Sequence, residues 1–154
     1  MPLHQLSILD RMGVSVRDPQ AMDAVETALS SADLVLDALI GYSLRGAPRE
    51  PIASLIRGAN ASGTPVLALD IPSGLNGDSG EAYDPTIRAV ATLSLALPKV
   101  GLARRAAHEW VGNLYLADIS VPEVVYRRLG LDVGPIFSRA EIVAVPLNEK
   151  EYAE

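Results

Sequence analysis

The sequence has 154 residues, of which 49% are hydrophobic and 21% are charged, so it can bury the core of one domain and is not a disordered chain. Its formal net charge of -6 argues against nucleic acid as the main partner, because phosphate backbones are bound through clustered Lys and Arg side chains. It has no cysteine, which excludes disulfides, thiol catalysis and a zinc–thiolate site, and no signal peptide or membrane-spanning apolar run, so we expect a cytoplasmic protein without membrane contact.

The first part of the chain alternates helical and extended patterns. Residues 18–31 are predicted to form a helix, with Asp18 as its cap and Pro19 in its first turn. The apolar run at 34–39 follows, and its continuous hydrophobicity is typical of a strand covered on both faces. Residues 49–61 are the next predicted helix, because their apolar side chains recur on one side.

The same unit then recurs towards the carboxyl terminus. The predicted elements are strands at 65–70, 88–97 and 113–119, a turn-rich loop at 71–80, and helices at 102–111 and 122–129. The tail up to Val145 is expected to be a weak strand or an irregular cover. Strands separated by helical segments predict an α/β domain with a mostly parallel sheet, and residues 1–154 are taken as one domain.

Polar side chains follow the predicted strands where each strand ends. Asp37, Asp70, Lys99 and Asp118 occupy these positions in four successive strands. Because ligands bind open parallel sheets beyond the carboxyl ends of the strands, we expect the functional site at this edge. The alternative at each position is a structural role, since turns commonly use Asp, Ser and Gly.

The loop at residues 41–47, with the sequence GYSLRGA, follows the first of these strands. Gly41 and Gly46 allow the backbone to approach a ligand closely, and the loop amides with the start of the next helix can hold an anion. The spacing matches neither the P-loop nor the dinucleotide fingerprint. An anion-binding loop is therefore predicted from glycine content and position alone.

Four segments, in this order and spacing, carry a resemblance to a known family: DALIGYSLRGAPREP, PVLALDIPSGLNGDSG, ATLSLALPKVGL and NLYLADISVP. From about His4 to Val145 the chain resembles the NAD(P)H-hydrate epimerases, also called the YjeF N-terminal domain. The resemblance implies a three-layer Rossmann-like fold, a homodimer and a bound potassium ion. It also implies interconversion of the C6 epimers of hydrated NADH or NADPH, which are damaged forms of the cofactors.

Residue by residue, the resemblance implies three groups of site positions. Asp37 and Ser73 match potassium ligands, and Asp70 matches a residue that contacts the substrate. The substrate-phosphate loop corresponds to Gly41, Tyr42, Ser43, Leu44, Arg45, Gly46 and Ala47. From the chemistry of the reaction, Asp70 is the expected general acid and base, and Lys99 is a second catalytic candidate whose alternative is a surface lysine in a turn.

Two departures from the family pattern bear on activity. Gly41-Tyr42-Ser43 stands where family members often have Gly-Thr-Gly, so Tyr42 is expected to narrow the loop. No segment matches the family's first phosphate loop, of the type Asn-Asn-Gly-Gly-Asp-Gly, so the chain is expected to correspond to the C-terminal two-thirds of the family domain. Three interpretations remain open: an epimerase that is weak or completed by a complementing chain, a non-catalytic nucleotide-binding or protein-interaction module, and a gene fragment or misassigned start.

Overall fold

A computed structural model describes residues 3–42 and 44–147. The strands are β1 (Val35–Asp37), β2 (Val66–Leu69), β3 (Ala91–Leu95), β4 (Asn113–Ala117) and β5 (Ile142–Ala144). The α-helices are α1 (Leu3–Arg11), α2 (Met22–Ser31), α3 (Ile52–Ala61), α4 (His108–Val111) and α5 (Glu123–Arg128), and two 3-10 turns lie at Val100–Ala103 and Arg105–Ala107. Among the residues that the structure describes, no helix is long and apolar enough to cross a bilayer.

The five strands form one sheet in the order β1-β2-β3-β4-β5. Strands β1 to β4 are parallel, and β5 runs antiparallel to β4. The predicted α/β class with a mostly parallel, Rossmann-like sheet is therefore confirmed. The carboxyl ends of β1 to β4 meet at one edge, which brings the polar residues after these strands to the same side of the molecule.

The hydrophobic core lies on one face of this sheet. Successive parallel strands joined by right-handed crossovers place every connection on the same face. The first core cluster joins α3 to β2 and the second joins the turns before β4 to β4. Both clusters use strand residues from the same face of the sheet: Val66 and Ala68 in the first, and Leu114, which shares a register row with Ala68, in the second.

The opposite face of the sheet is partly open. Leu36 is 58% exposed and Ile142 is 53% exposed, although both belong to strands. Leu67, the register partner of Leu36 in β2, and Leu93 in β3 are only half-buried. The edge strand β1 also has no neighbour on its outer side within the described residues. Apolar surface and unpaired strand backbone are thus exposed together.

Two predicted helices differ from the observed ones. Helix α2 begins at Met22 rather than residue 18, because Asp18 closes a turn instead: its carboxylate accepts from the Gln20 amide at 2.9 Å and its carbonyl from the Ala21 amide at 3.1 Å. The helix predicted at 102–111 is two 3-10 turns followed by α4. Gly101 lies against the loop after β2, where a Cβ atom would meet the Asn76 carbonyl at 2.6 Å.

Candidate active site

A residue with an unusual backbone conformation follows each of three neighbouring strands. Asp70 and Ala96 come directly after β2 and β3, with φ values of 69° and 64°, and Ser120 lies three residues after β4, with φ 61°. The left-handed conformation costs a residue with a Cβ atom roughly 1–2 kcal/mol, and such residues cluster at functional sites. At the end of β2 this conformation turns the Asp70 side chain towards the end of β3.

The Asp70 carboxylate is held at the end of β3 through one of its two oxygens. Oδ1 accepts a hydrogen bond from the Leu95 amide at 3.0 Å, forms an ion pair with the Lys99 ammonium and lies 3.5 Å from the Ser94 hydroxyl. The ammonium also donates to the Leu95 carbonyl at 3.1 Å. Asp70 and Lys99, which were predicted from separate strand ends, therefore form one cluster.

The second carboxylate oxygen of Asp70 has a different environment. Within the described residues, no protein group donates a hydrogen bond to Oδ2. The side chain is 25% exposed and that of Lys99 is 21% exposed, so the cluster is accessible from the edge of the sheet. Asp70 can thus be fixed through Oδ1 while Oδ2 exchanges a proton with a bound molecule.

Asp37 and Ser73 form a second, buried cluster between the ends of β1 and β2. The Asp37 carboxylate accepts hydrogen bonds from the Ser73 amide at 2.7 Å and the Ser73 hydroxyl at 2.6 Å. The Leu39 amide approaches it at 3.3 Å. The Ser73 hydroxyl also accepts from the Ile40 amide at 2.9 Å and lies 3.1 Å from the Ile40 carbonyl oxygen. The predicted pair is therefore in direct contact.

The Asp37 carboxyl is only 2% exposed, and this burial disfavours its ionised form. Loss of water raises the pKa of its carboxyl above the ordinary value, and the hydrogen bonds from Ser73 and Leu39 offset this only in part. A raised folded-state pKa means that folding disfavours the charged form. The free energy of unfolding therefore falls as the pH rises past the ordinary carboxyl pKa, and it levels off above the raised value.

The loop after β1 exposes several backbone donors. A hydrogen bond from the Leu44 amide to the Gly41 carbonyl, at 3.2 Å, closes a turn in it. The loop amides that make no hydrogen bond within the described ranges are those of Gly41, Tyr42, Arg45, Gly46 and Ala47. The Tyr42 side chain is 77% exposed, and Ser43 lies outside the described residues. Free amides in a tight turn suit an anion.

Ser94 belongs to the Asp70 cluster but was absent from the sequence-based prediction. It is fully buried in β3, and its hydroxyl lies 3.4 Å from the Lys99 ammonium. The signal available in the sequence was a polar residue inside the apolar strand ATLSL, next to the strand end.

Asp118 is at the predicted edge of the sheet but does not belong to the Asp70 cluster. It lines a separate cavity of about 360 Å³ with Tyr126 and Phe137.

The chain is similar to one protein family over most of its length. Residues 3–101 match the family described as YjeF-related protein N-terminus. An NAD(P)H-hydrate epimerase of Dehalogenimonas lykanthroporepellens is 45% identical over 127 residues, covering 82% of this chain and 48% of the relative. An NAD(P)H-hydrate epimerase of Rhodopirellula baltica is 35% identical over 128 residues, covering 82% and 52%. The chain thus spans about half the length of these curated relatives.

A solved structure supports the fold independently. The crystal structure of yeast ynu0, YNL200c, superposes with a TM-score of 0.70 and covers 91% of this chain and 58% of the yeast chain. The sequences are 19% identical, so this similarity concerns the fold. It places the sheet and its flanking helices among known α/β architectures.

Proposed function

Because the chain belongs to the family of YjeF-related protein N-termini, whose curated relatives are named NAD(P)H-hydrate epimerases, we propose that it acts on the C6 hydroxyl of hydrated NADH or NADPH. Asp70 is the general acid and base, and Lys99 holds it in place. The free Oδ2 atom of a carboxylate fixed through Oδ1 carries this proposal. The residues of the Gly41–Ala47 loop receive the substrate phosphates.

The proposed reaction breaks and remakes one carbon–oxygen bond. Protonated Asp70 gives its proton from Oδ2 to the C6 hydroxyl, water leaves, and the ring nitrogen lone pair forms an iminium. Water then adds to the opposite face of C6 and returns a proton to the Asp70 carboxylate. The Lys99 ammonium stabilises the negative charge that Asp70 carries between the two steps. Over the whole cycle, one water leaves and one is added, and the proton that Asp70 gives is returned to it.

Interconversion of the separated hydrate epimers, followed by chromatography, tests this function. The purified chain should convert either epimer faster than the spontaneous reaction, alone or with a supplied partner segment. The portion of the Dehalogenimonas relative that this chain does not match is a suitable segment. A rate equal to the spontaneous rate under both conditions would contradict the enzymatic function.

A non-catalytic nucleotide-binding or protein-interaction module is the second candidate. The partly open sheet face and the free edge of β1 favour it, because exposed apolar surface rimmed by polar residues often marks an interface. Binding of hydrated NADPH without any gain over spontaneous epimerisation would assign this function. Calorimetry on the same sample measures this binding and separates the two candidate functions.

The location of the protein in the cytoplasm stays a prediction.

The chain is expected to associate with itself or with a complementing chain. Leu36 in β1 and Leu34 just before this strand are exposed beside its free edge, and such an edge is a template for strand addition. We therefore expect a dimer or hetero-complex at micromolar concentration in light scattering. A stable monomer at high micromolar concentration, with and without the relative's segment, would contradict this expectation.

We propose potassium as the ion at the Asp37–Ser73 cluster. The cluster offers one carboxylate, one hydroxyl and the Ile40 carbonyl, and such neutral and singly charged oxygens can replace the hydration shell of K⁺. The ion would offset the cost of a buried charge on Asp37. When bound, it supplies positive charge next to the loop that receives phosphate.

The stability of the chain should therefore depend on potassium. An ion present at 100 times its Kd adds about 2.7 kcal/mol to the free energy of unfolding, and each kcal/mol shifts Tm by roughly 2–4 °C in a domain of this size. Thermal unfolding in KCl and in choline chloride, at equal ionic strength, measures the effect. Asp37→Asn keeps the side-chain shape and should abolish the difference. Equal Tm values of the wild-type chain in both salts would contradict the site.

Gly41→Ala tests the phosphate loop with little structural cost. Gly41 has no positive φ, and an added Cβ atom would meet nothing within 4 Å, so stability should change by less than about 0.5 kcal/mol. A methyl group that blocks one charge-assisted amide contact, worth roughly 1.5–3 kcal/mol, should raise KM about tenfold or more. Gly134→Ala, with equally open surroundings, is the matched control. Equal KM values for both variants would remove the loop from the site.

A further inference from the structure

Ser94 is a buried hydroxyl that the proposed reaction does not yet use. Its side chain is fully buried, on the face of β3 that the core covers. The hydroxyl lies 3.5 Å from Asp70 Oδ1 and 3.4 Å from the Lys99 Nζ atom. Within the described residues it has no other polar partner. The polar contacts of this hydroxyl are therefore all with the Asp70–Lys99 ion pair.

Thr92 shows what an ordinary buried hydroxyl on this strand looks like. It occupies the same face two residues earlier and is also fully buried. Its hydroxyl donates to the Val111 carbonyl at 2.7 Å, a normal hydrogen bond that ties β3 to α4. The Ser94 hydroxyl makes no such short structural bond, although buried hydroxyls are usually satisfied in this way.

The Ser94 hydroxyl can remain hydrogen-bonded to Asp70 both when its carboxyl is protonated and when it is ionised. A serine hydroxyl can donate one hydrogen bond and accept two, so it can donate to Asp70 while it accepts from Lys99. Both distances are longer than an ordinary hydrogen bond, and they can shorten into that range when Asp70 becomes ionised. An apolar residue at this position would leave the carboxylate with the Leu95 amide and Lys99 as its donors.

We propose that Ser94 is a positioning residue that orients the Asp70 carboxylate and the Lys99 ammonium and thereby keeps Asp70 Oδ2 directed towards the substrate. The inference rests on the proposed role of Asp70 and extends it to a residue that does not touch the substrate. Because Ser94 acts on the reacting group alone, its loss should affect kcat and leave KM unchanged.

The kinetic test compares three variants. Removal of one hydrogen bond to the carboxylate in Ser94→Ala should lower kcat about three- to tenfold with unchanged KM. Ser94→Thr keeps the hydroxyl and should restore most of the rate. Thr92→Val leaves the Val111 carbonyl without its partner, so it should reduce stability at least as much while leaving kcat unchanged. If the wild-type chain is active and Ser94→Ala and Thr92→Val lower kcat equally, or neither variant lowers it, the positioning role is wrong.

A second measurement does not depend on activity. The sequence contains only two lysines, Lys99 and Lys150, so lysine labelled with ¹⁵N gives two ammonium signals in NMR spectra, and Lys150→Arg assigns them. The Lys99 signal should move in Ser94→Ala and stay in place in Thr92→Val. If no chain is active, the proposed function fails and the part of the inference that concerns the substrate fails with it, whereas a signal that moves in this way still shows that Ser94 positions the Asp70–Lys99 ion pair. If the wild-type chain is active and both kcat and the Lys99 signal are unchanged in Ser94→Ala, the positioning role alone is overturned.

Discussion

Replacing Asp70 with Asn is expected to lower kcat for interconversion of the hydrate epimers by about 10²–10⁴-fold, the range that a positioned general acid and base contributes. The amide group cannot give or take the proton at the position of Oδ2, and it loses the ion pair with Lys99. KM should change less, because the phosphates are proposed to bind at the loop after β1. A single-residue effect of this size would make Asp70 the central group of the reaction.

The substitution is suited to the site because it leaves the backbone unstrained. Asp70 has φ 69°, and Asn tolerates the left-handed conformation better than most residues. Its side-chain oxygen can still accept from the Leu95 amide. Asp118→Asn is the matched control, since Asp118 also follows a strand of this edge and accepts the Ser120 amide at 2.7 Å. Equal chromatographic rates for the wild type and both variants would leave the nucleotide-binding or interaction module as the function.

The general position of the site could be predicted from the sequence because it depends on sheet topology. Apolar runs separated by helical patterns predicted the parallel strands, and parallel strands bring Asp37, Asp70 and Lys99 to one edge whatever the details of the loops. The contact between Asp37 and Ser73 follows from the same topology, since both adjoin the neighbouring ends of β1 and β2.

The orientation of the side chains could not be predicted in the same way. The direction of the Asp70 side chain towards the end of β3 depends on the left-handed backbone at Asp70, and no periodic pattern in the sequence indicates that conformation. The sequence pattern places Ser94 inside a strand but does not predict its contact with Lys99, because that contact depends on the path of the turn after β3. The start of α2 at Met22 also could not be predicted from Asp18 alone, because an Asp can cap a helix or close a turn. Here its carboxylate accepts from the Gln20 amide and closes a turn.

Gly74→Ala is expected to destabilise the fold by about 2–5 kcal/mol, the sum of a left-handed backbone penalty and of overpacking in a closed site. Gly74 has φ 99°, and an added Cβ atom would collide with the Pro85 carbonyl oxygen and lie 2.6 Å from the Thr86 Cα atom. The segments that meet here are fixed, because the Ile87 amide donates to the Ser73 carbonyl at 2.8 Å and the Tyr83 amide to the Gly74 carbonyl at 3.0 Å. Relief of the collision must therefore displace Ser73 and its bonds to Asp37.

The two causes of this loss can be separated with Gly46→Ala. Gly46 has φ 82°, but a Cβ atom there would meet nothing within 4 Å, so its substitution measures the backbone penalty without the collision. Denaturant unfolding should show a loss of roughly 1–2 kcal/mol for Gly46→Ala and a clearly larger loss for Gly74→Ala. Only the Gly74 variant should also lose the potassium-dependent rise in Tm, because only Gly74 adjoins Ser73. Equal losses for the two variants, with the potassium response intact in both, would show that the close approach of Pro85 and Thr86 does not fix the Asp37–Ser73 cluster.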